Sequence, residues 1–98
     1  MNYFKNYGIT EEEIQELKER YNESICEFLI ENELFICKKL DYLRKKEYNI
    51  YPILENNIKI FLEIMPVLER KIEKLEKKNF NKKQIQMILM DEKLYNKF

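Results

Sequence analysis

Apolar residues recur along this chain at three- and four-residue intervals. Ile14, Leu17 and Tyr21 fall on one helical face. Thr10 precedes them, with Glu13 three residues on, the spacing of a capping box. Asn22 stops that helix and caps a second, in which Ile25, Cys26, Phe28 and Leu29 are apolar. A third runs from Asn32 to about Lys46 on Ile36, Leu40 and Leu43, and ends in a basic run. Asn49 then precedes Ile50-Tyr51-Pro52, where proline fits a first turn because its missing N–H would have no helical partner there. Ile53, Leu54 and Ile58 follow. Pro66 opens another helix, with Leu68, Ile72 and Leu75. Asn81 caps the next, with Ile85, Ile88 and Leu89, and Asp91 caps a last turn through Leu94 and Tyr95. No stretch alternates with period two between turn signals, so no sheet is predicted. The expectation is an all-α chain forming one domain, 1–98.

Many short helices prompt a search for an internal period. At an offset of 32, segment 34–62 falls on 66–94 with Lys39/Lys71, Leu43/Leu75, Lys45/Lys77, Lys46/Lys78, Asn49/Asn81, Ile53/Ile85 and Leu62/Leu94 identical. Ile36/Leu68, Lys38/Arg70, Leu40/Ile72, Asp41/Glu73, Tyr48/Phe80 and Ile58/Met90 are similar. Upstream, Ile9-Thr10 with Ile14 matches Tyr48-Asn49 with Ile53 and Phe80-Asn81 with Ile85. Each is a bulky apolar residue, an N-cap and an inward Ile, the arrangement of a hydrophobic staple. The units read as a partial repeat over 7–31, a repeat over 33–62 and a repeat over 65–95. Each is a longer helix, a tight turn, a shorter capped helix and a brief terminal turn. A unit this small must stack on its neighbours to bury its apolar face. The predicted architecture is therefore short helical repeats stacked as a small right- or left-handed solenoid, or an irregular helical bundle.

Tetratricopeptide units need Ala and Gly at close-packed positions, and this chain has no Ala; the Thr-Pro-Leu-His of ankyrin units is absent. Ile60-Phe61-Leu62, Pro66-Val67-Leu68-Glu69-Arg70-Lys71-Ile72-Glu73-Lys74-Leu75, Asn79-Phe80-Asn81, then Ile85 and Ile88-Leu89 form one consecutive pattern. It resembles a unit of the mitochondrial transcription termination factor family, in which two helices and a short 3-10 turn make about thirty residues. Tyr7-Gly8-Ile9-Thr10-Glu11-Glu12-Glu13-Ile14 is similar to the turn and the start of the second helix. Glu47 and Asn79 stand where that family usually has Gly. The resemblance covers most of 7–95. It implies a curved solenoid whose basic side chains hold duplex nucleic acid by its phosphates.

Composition narrows the chemistry. The 98 residues include no His and one Gly. The commonest general base and metal ligand is thus missing, and no glycine-rich phosphate loop exists. Cys26 and Cys37 are too few for a disulfide framework and read as buried reduced thiols. Nothing pairs a nucleophile with a base, so no enzyme, no cofactor and no metal site are expected. The first ten residues lack an apolar run and hold one Lys, and no apolar run reaches membrane-spanning length. The expected protein is intracellular and cytoplasmic, with no membrane partner. The bias to Ile, Lys, Asn, Tyr and Phe is what AT-rich codons give, as in a low-GC bacterium, its phage or a parasite.

The formal net charge is zero, yet residues 1–36 carry −6 and residues 37–98 carry +6. Lys38, Lys39, Lys45 and Lys46 recur at the repeat offset as Arg70, Lys71, Lys77 and Lys78, with Arg44, Lys74, Lys82 and Lys83 beside them. Stacked units would set these cations in rows, as tracking a phosphate backbone of duplex DNA or RNA requires. The same lysines also complement helix C-termini, and Glu69, Glu73 and Glu76 offer them i, i+4 pairs. Glu11, Glu12, Glu13, Glu16 and Glu19 favour a helix N-terminus electrostatically; they also offer a docking surface for a basic protein partner or for the chain's own basic face. Tyr3, Phe4 and Tyr7 either pack back or form an aromatic patch. Two functions follow: a nucleic-acid-binding module, or a protein-interaction adaptor or inhibitor of phage or low-GC bacterial type.

Overall fold

The first-turn N–H groups of a helix need acceptors, and polar side chains supply them at four of the eight α-helix starts of this chain. The computed structural model describes residues 1–98. An N-terminal 3-10 helix, Asn2–Tyr7, is followed by α1 (Glu11–Arg20), α2 (Glu23–Glu31), α3 (Glu33–Lys45), α4 (Ile50–Asn56), α5 (Lys59–Leu62), α6 (Met65–Lys77), α7 (Lys82–Leu89) and α8 (Glu92–Asn96). There is no strand. Ahead of α1, the Thr10 hydroxyl accepts from Glu13 N at 3.1 Å while the Glu13 carboxylate accepts from Thr10 N at 2.9 Å. Asn22 and Asp91 accept from Ile25 N and Leu94 N. Asn81 and Gln84 form a second reciprocal box at α7. Asn49 departs from expectation: its side chain caps nothing. The Gln86 side chain instead accepts from Asn49 N at 2.8 Å and donates to Asn49 O at 3.0 Å.

Three turns share one geometry. Gly8, Glu47 and Asn79 are the residues with positive φ, at 79°, 64° and 66°. Glu47 N donates to Arg44 O and Tyr48 N to Leu43 O; Asn79 N donates to Glu76 O and Phe80 N to Leu75 O. These are Schellman pairs, which satisfy the last carbonyls of α3 and α6. Gly8 N and Ile9 N bond Lys5 O and Phe4 O in the same way. The bulky residue after each turn then folds inward: Ile9 and Tyr48 are buried and Phe80 is half-buried.

The core follows the sequence stripes. Ile36, Leu40 and Leu43 of α3 and Leu68, Ile72 and Leu75 of α6 are fully buried, 32 residues apart pair by pair. Ile14 and Leu17, Ile53 and Leu54, and Ile85, Ile88 and Leu89 are the inward residues of α1, α4 and α7. Tyr3 and Phe4 pack back into this core, so the N-terminal aromatics form no open patch. The Tyr3 hydroxyl donates to Leu29 O. α3 lies against the 3-10 helix and α6, and α1 against α4. α5 and α8 are the expected terminal turns. The whole measures 36 × 23 × 21 Å. Cys26 and Cys37 are free, but half-buried rather than buried as expected. No helix is long and apolar enough to cross a membrane.

Polar links cross the molecule over sequence distances from 22 residues (Lys39 to Phe61) to 38 (Arg44 to Asn6), and several fall near one 32-residue offset. The Tyr21 hydroxyl donates to Leu54 O and Glu55 O, Asn57 Nδ2 to Leu89 O at 3.0 Å, and the Tyr7 hydroxyl to Asp41 at 2.6 Å. Tyr51 meets Glu16, Lys46 meets Glu76 and Lys82 meets Glu47. Each spans between 30 and 35 residues.

Candidate nucleic-acid interface

The basic residues named from the sequence separate into three groups. The first is structural, and it corrects the expected rows. Lys39 is fully buried, because position 39 shares the inward face of α3 with Ile36, Leu40 and Leu43. Its Nζ donates to Phe35 O at 3.3 Å and to Phe61 O at 3.4 Å and lies 3.4 Å from the centre of the Phe35 ring. Burial pulls its pKa down to about 8, against an opposing pull from Glu63. Lys71 repeats the arrangement half-buried: its Nζ donates to Tyr95 O at 3.1 Å and sits 3.8 Å from the Tyr95 ring centre. Both ammonium groups satisfy carbonyls of the short helices α5 and α8, so neither reaches a phosphate.

The second group is held by partners. Arg44 reaches Asp41 at 3.3 Å and Asn6 O at 3.2 Å, over the Tyr7 ring. Lys46 bonds both oxygens of Glu76 at 3.0 Å. Desolvation of Lys46 opposes its charge, but Glu76 outweighs it and raises the pKa above the ordinary lysine value. Lys82 meets Glu47 at 3.1 Å, and Lys74 donates to Phe98 O at 3.4 Å. Lys78 sits 5.7 Å from the Phe98 ring centre. The expected i, i+4 pairs of Glu69, Glu73 and Glu76 do not form; Glu76 turns to Lys46 of α3 instead. These exposed pairs are worth less than about 1 kcal/mol each.

Lys38, Lys45, Arg70, Lys77 and Lys83 are exposed and have no hydrogen-bond or ion-pair partner in the protein. The first four form a pattern. Lys38 and Lys45 are seven residues apart on the side of α3 away from its buried stripe, and Arg70 and Lys77 hold the equivalent places on α6. Seven helical residues span about 10.5 Å, and packed helices lie about 8–10 Å apart. Each pair of cations therefore forms a basic patch about 10 Å long on its own helix. Asp41, beside it, is already engaged by Arg44 and Tyr7, while Glu73 stands unpaired between Arg70 and Lys77.

Next to the patch, an open cleft of about 360 Å³ runs between the second and third turns. Lys45, Lys46 and Lys82 line it over Tyr48, Phe80 and Ile85, with Glu47 and Glu76 balancing two of the cations. Such a cleft can hold an anion by charge and pack a flat apolar surface, but it brings no nucleophile to a base. No three Asp, Glu or Cys side chains converge as a metal would require.

The acidic set does not form one surface. Glu11 pairs with Lys5 at 2.5 Å, which holds its carboxyl below the usual range. Glu13 is spent in the capping box and Glu16 accepts from the Tyr51 hydroxyl at 2.6 Å. Glu12 and Glu19 alone of this set are exposed without partners. The α2 face was not singled out by the sequence reading: Glu23, Glu27 and Glu31 are exposed there around Ile30, an apolar residue off the buried stripe. That displacement, about 100° round the helix from Leu29, is the signal that marks it.

Comparison of the chain with protein-family models, with curated proteins and with solved structures finds no match.

Proposed function

We propose that this chain is a small helical-repeat binding module that holds a nucleic-acid backbone on the outer face of α3 and α6. The observation that carries the reading is the quartet Lys38, Lys45, Arg70 and Lys77, four exposed cations unpaired within the protein and in equal register on adjacent helices. Keeping such charges unneutralised beside so many carboxylates favours a polyanion on that face. The repeat reading is supported by the 32-residue match of α3 with α6, by the shared turn geometry, and by those cross-links that span about one unit, such as Asn57 to Leu89. Those units stack as a short solenoid, and the resemblance to the termination factor family supplies the duplex as the expected form of the ligand. The module acts inside the cell, by binding and without catalysis.

The test is affinity for a generic duplex as salt is varied. Four phosphate contacts give a slope of log affinity on log salt of about −3 to −4. Replacing the quartet by Ala should remove binding at about 50 mM salt, while Lys39→Met and Lys71→Met should leave affinity unchanged. Absence of binding by the unsubstituted protein at that salt would sink the proposal. A protein-interaction adaptor is the second reading, favoured by Leu34, which is 81% exposed beside the patch.

A further inference from the structure

We infer that the cleft between the second and third turns is a site for a single unstacked nucleotide, with the base on its apolar floor and the phosphate at Lys45. The two turns share one geometry. Glu47 and Asn79 take φ of 64° and 66°, and each turns the aromatic residue that follows, Tyr48 or Phe80, towards the core. With Ile85 these two rings floor a hollow of about 360 Å³. That is the small end of the range of ligand pockets, about 300–1,000 Å³, and suits one nucleotide rather than a length of strand. The floor is held in place before anything binds, so little ordering is needed. Tyr48 is buried, and Phe80 is braced by Phe98, with ring centres 5.7 Å apart and planes at 78°. A bare anion would leave this floor wet, whereas a flat ring covers it.

Charge sets the sign of the occupant. Lys45, Lys46 and Lys82 line the cleft against Glu47 and Glu76, which leaves one positive charge in excess. Glu76 holds Lys46 at 3.0 Å and Glu47 holds Lys82 at 3.1 Å, so the unmatched cation is Lys45. The neighbouring cleft, between the first and second turns, also has aromatic walls, but it sets Arg44 against Glu13 and Glu47 and carries the opposite sign. An aromatic anion therefore belongs in the one and not in the other. Lys45 also stands on the outer face of α3, so the cleft adjoins the proposed backbone site. Naming the aromatic anion a nucleotide rests on that reading of the outer face; the preference for a ring that bears a phosphate does not.

The experiment is titration of the isotope-labelled protein with adenosine monophosphate at low salt, followed by amide NMR shifts, beside adenosine and ribose phosphate. Shifts are expected over 45–48 and 80–85. Adenosine and ribose phosphate should each bind about tenfold more weakly, since each makes only half of the contact. Lys45→Ala should weaken adenosine monophosphate about fivefold, and Glu47→Gln should tighten it about threefold by freeing Lys82. Both positions are exposed, and a gain of affinity cannot come from damage to the fold. The proposal is overturned if adenosine monophosphate at about 10 mM causes no shift. It is overturned equally if ribose phosphate binds as well, if the shifts centre on 7–9 and 50–52, or if either substitution has no effect. A duplex that fails to bind while adenosine monophosphate binds removes the outer-face reading and leaves this one; duplex binding without a mononucleotide response does the reverse.

Discussion

Lys38 and Lys39 are chemically identical neighbours with opposite fates. One step along a helix turns the side chain by about 100°, which carries Lys39 from solvent into the core. Its ammonium is retained there because two carbonyls and the Phe35 ring replace water. Burial still disfavours the charge, and stability should depend on pH accordingly. Below about pH 8 the group is charged in folded and unfolded states alike, and its contribution is flat. From about pH 8 towards pH 10 the unfolded chain holds a proton that the folded chain has released, so stability rises with pH. Above about pH 10 the trend reverses. Burial holds Tyr21 up at about 12, and Tyr3 and Tyr95 are raised as well. Those phenols ionise first in the unfolded chain, which stabilises it. Denaturant midpoints measured across this range should show the rise in the unsubstituted protein and none in Lys39→Met; a flat profile in both would refute the account. The inward register of position 39 was readable from Ile36 and Leu43, but the residue type pointed the other way.

At the scale of elements, the caps were legible and the turns were less so. Thr10, Asn22, Asn81 and Asp91 act as N-caps because their side chains reach N–H groups three residues on, a purely local relation. Glu47 is different. Glutamate has no preference for positive φ, yet residue 47 must adopt it so that Tyr48 can close back on Leu43 and enter the core. The left-handed conformation costs an ordinary residue about 1–2 kcal/mol. Its ion pair with Lys82 is exposed and offsets little of that. Glu47→Gly should therefore stabilise the protein by about 1 kcal/mol in urea unfolding, after the entropy glycine adds to the unfolded chain. Asn79→Gly should gain less, because asparagine already tolerates this region. A loss of stability in Glu47→Gly would contradict this reading of the turn.

At the scale of the molecule, short helices are coupled by side chains reaching main-chain groups. Gln86 of α7 holds the residue ahead of α4 with two hydrogen bonds to the Asn49 main chain, and Asn57 and Tyr21 make the same kind of link elsewhere. The buried apolar residues form one core shared by nearly all the helices, so thermal unfolding should be a single transition by both circular dichroism and tyrosine fluorescence. Gln86→Ala should lower stability by about 1–2 kcal/mol while keeping that single transition. Two resolved transitions in the unsubstituted protein would show that parts of the chain unfold independently. The free quartet is likewise a property of this scale. Which cations remain unpaired depends on Glu76 choosing Lys46 across the α3–α6 contact rather than a neighbour on its own helix.

The sequence by itself determined the helices, most of their caps, the 32-residue correspondence and the inward stripes, because each depends on residues within one or two turns of each other. It also set out the charge division. Only the tertiary structure decided which basic side chains face solvent. That choice depends on helix rotation and on partners some thirty residues away, and it separated Lys39 and Lys71 from Lys38, Lys45, Arg70 and Lys77. Burial, hydrogen bonding and ion pairing act through space, and a one-dimensional spacing does not encode them.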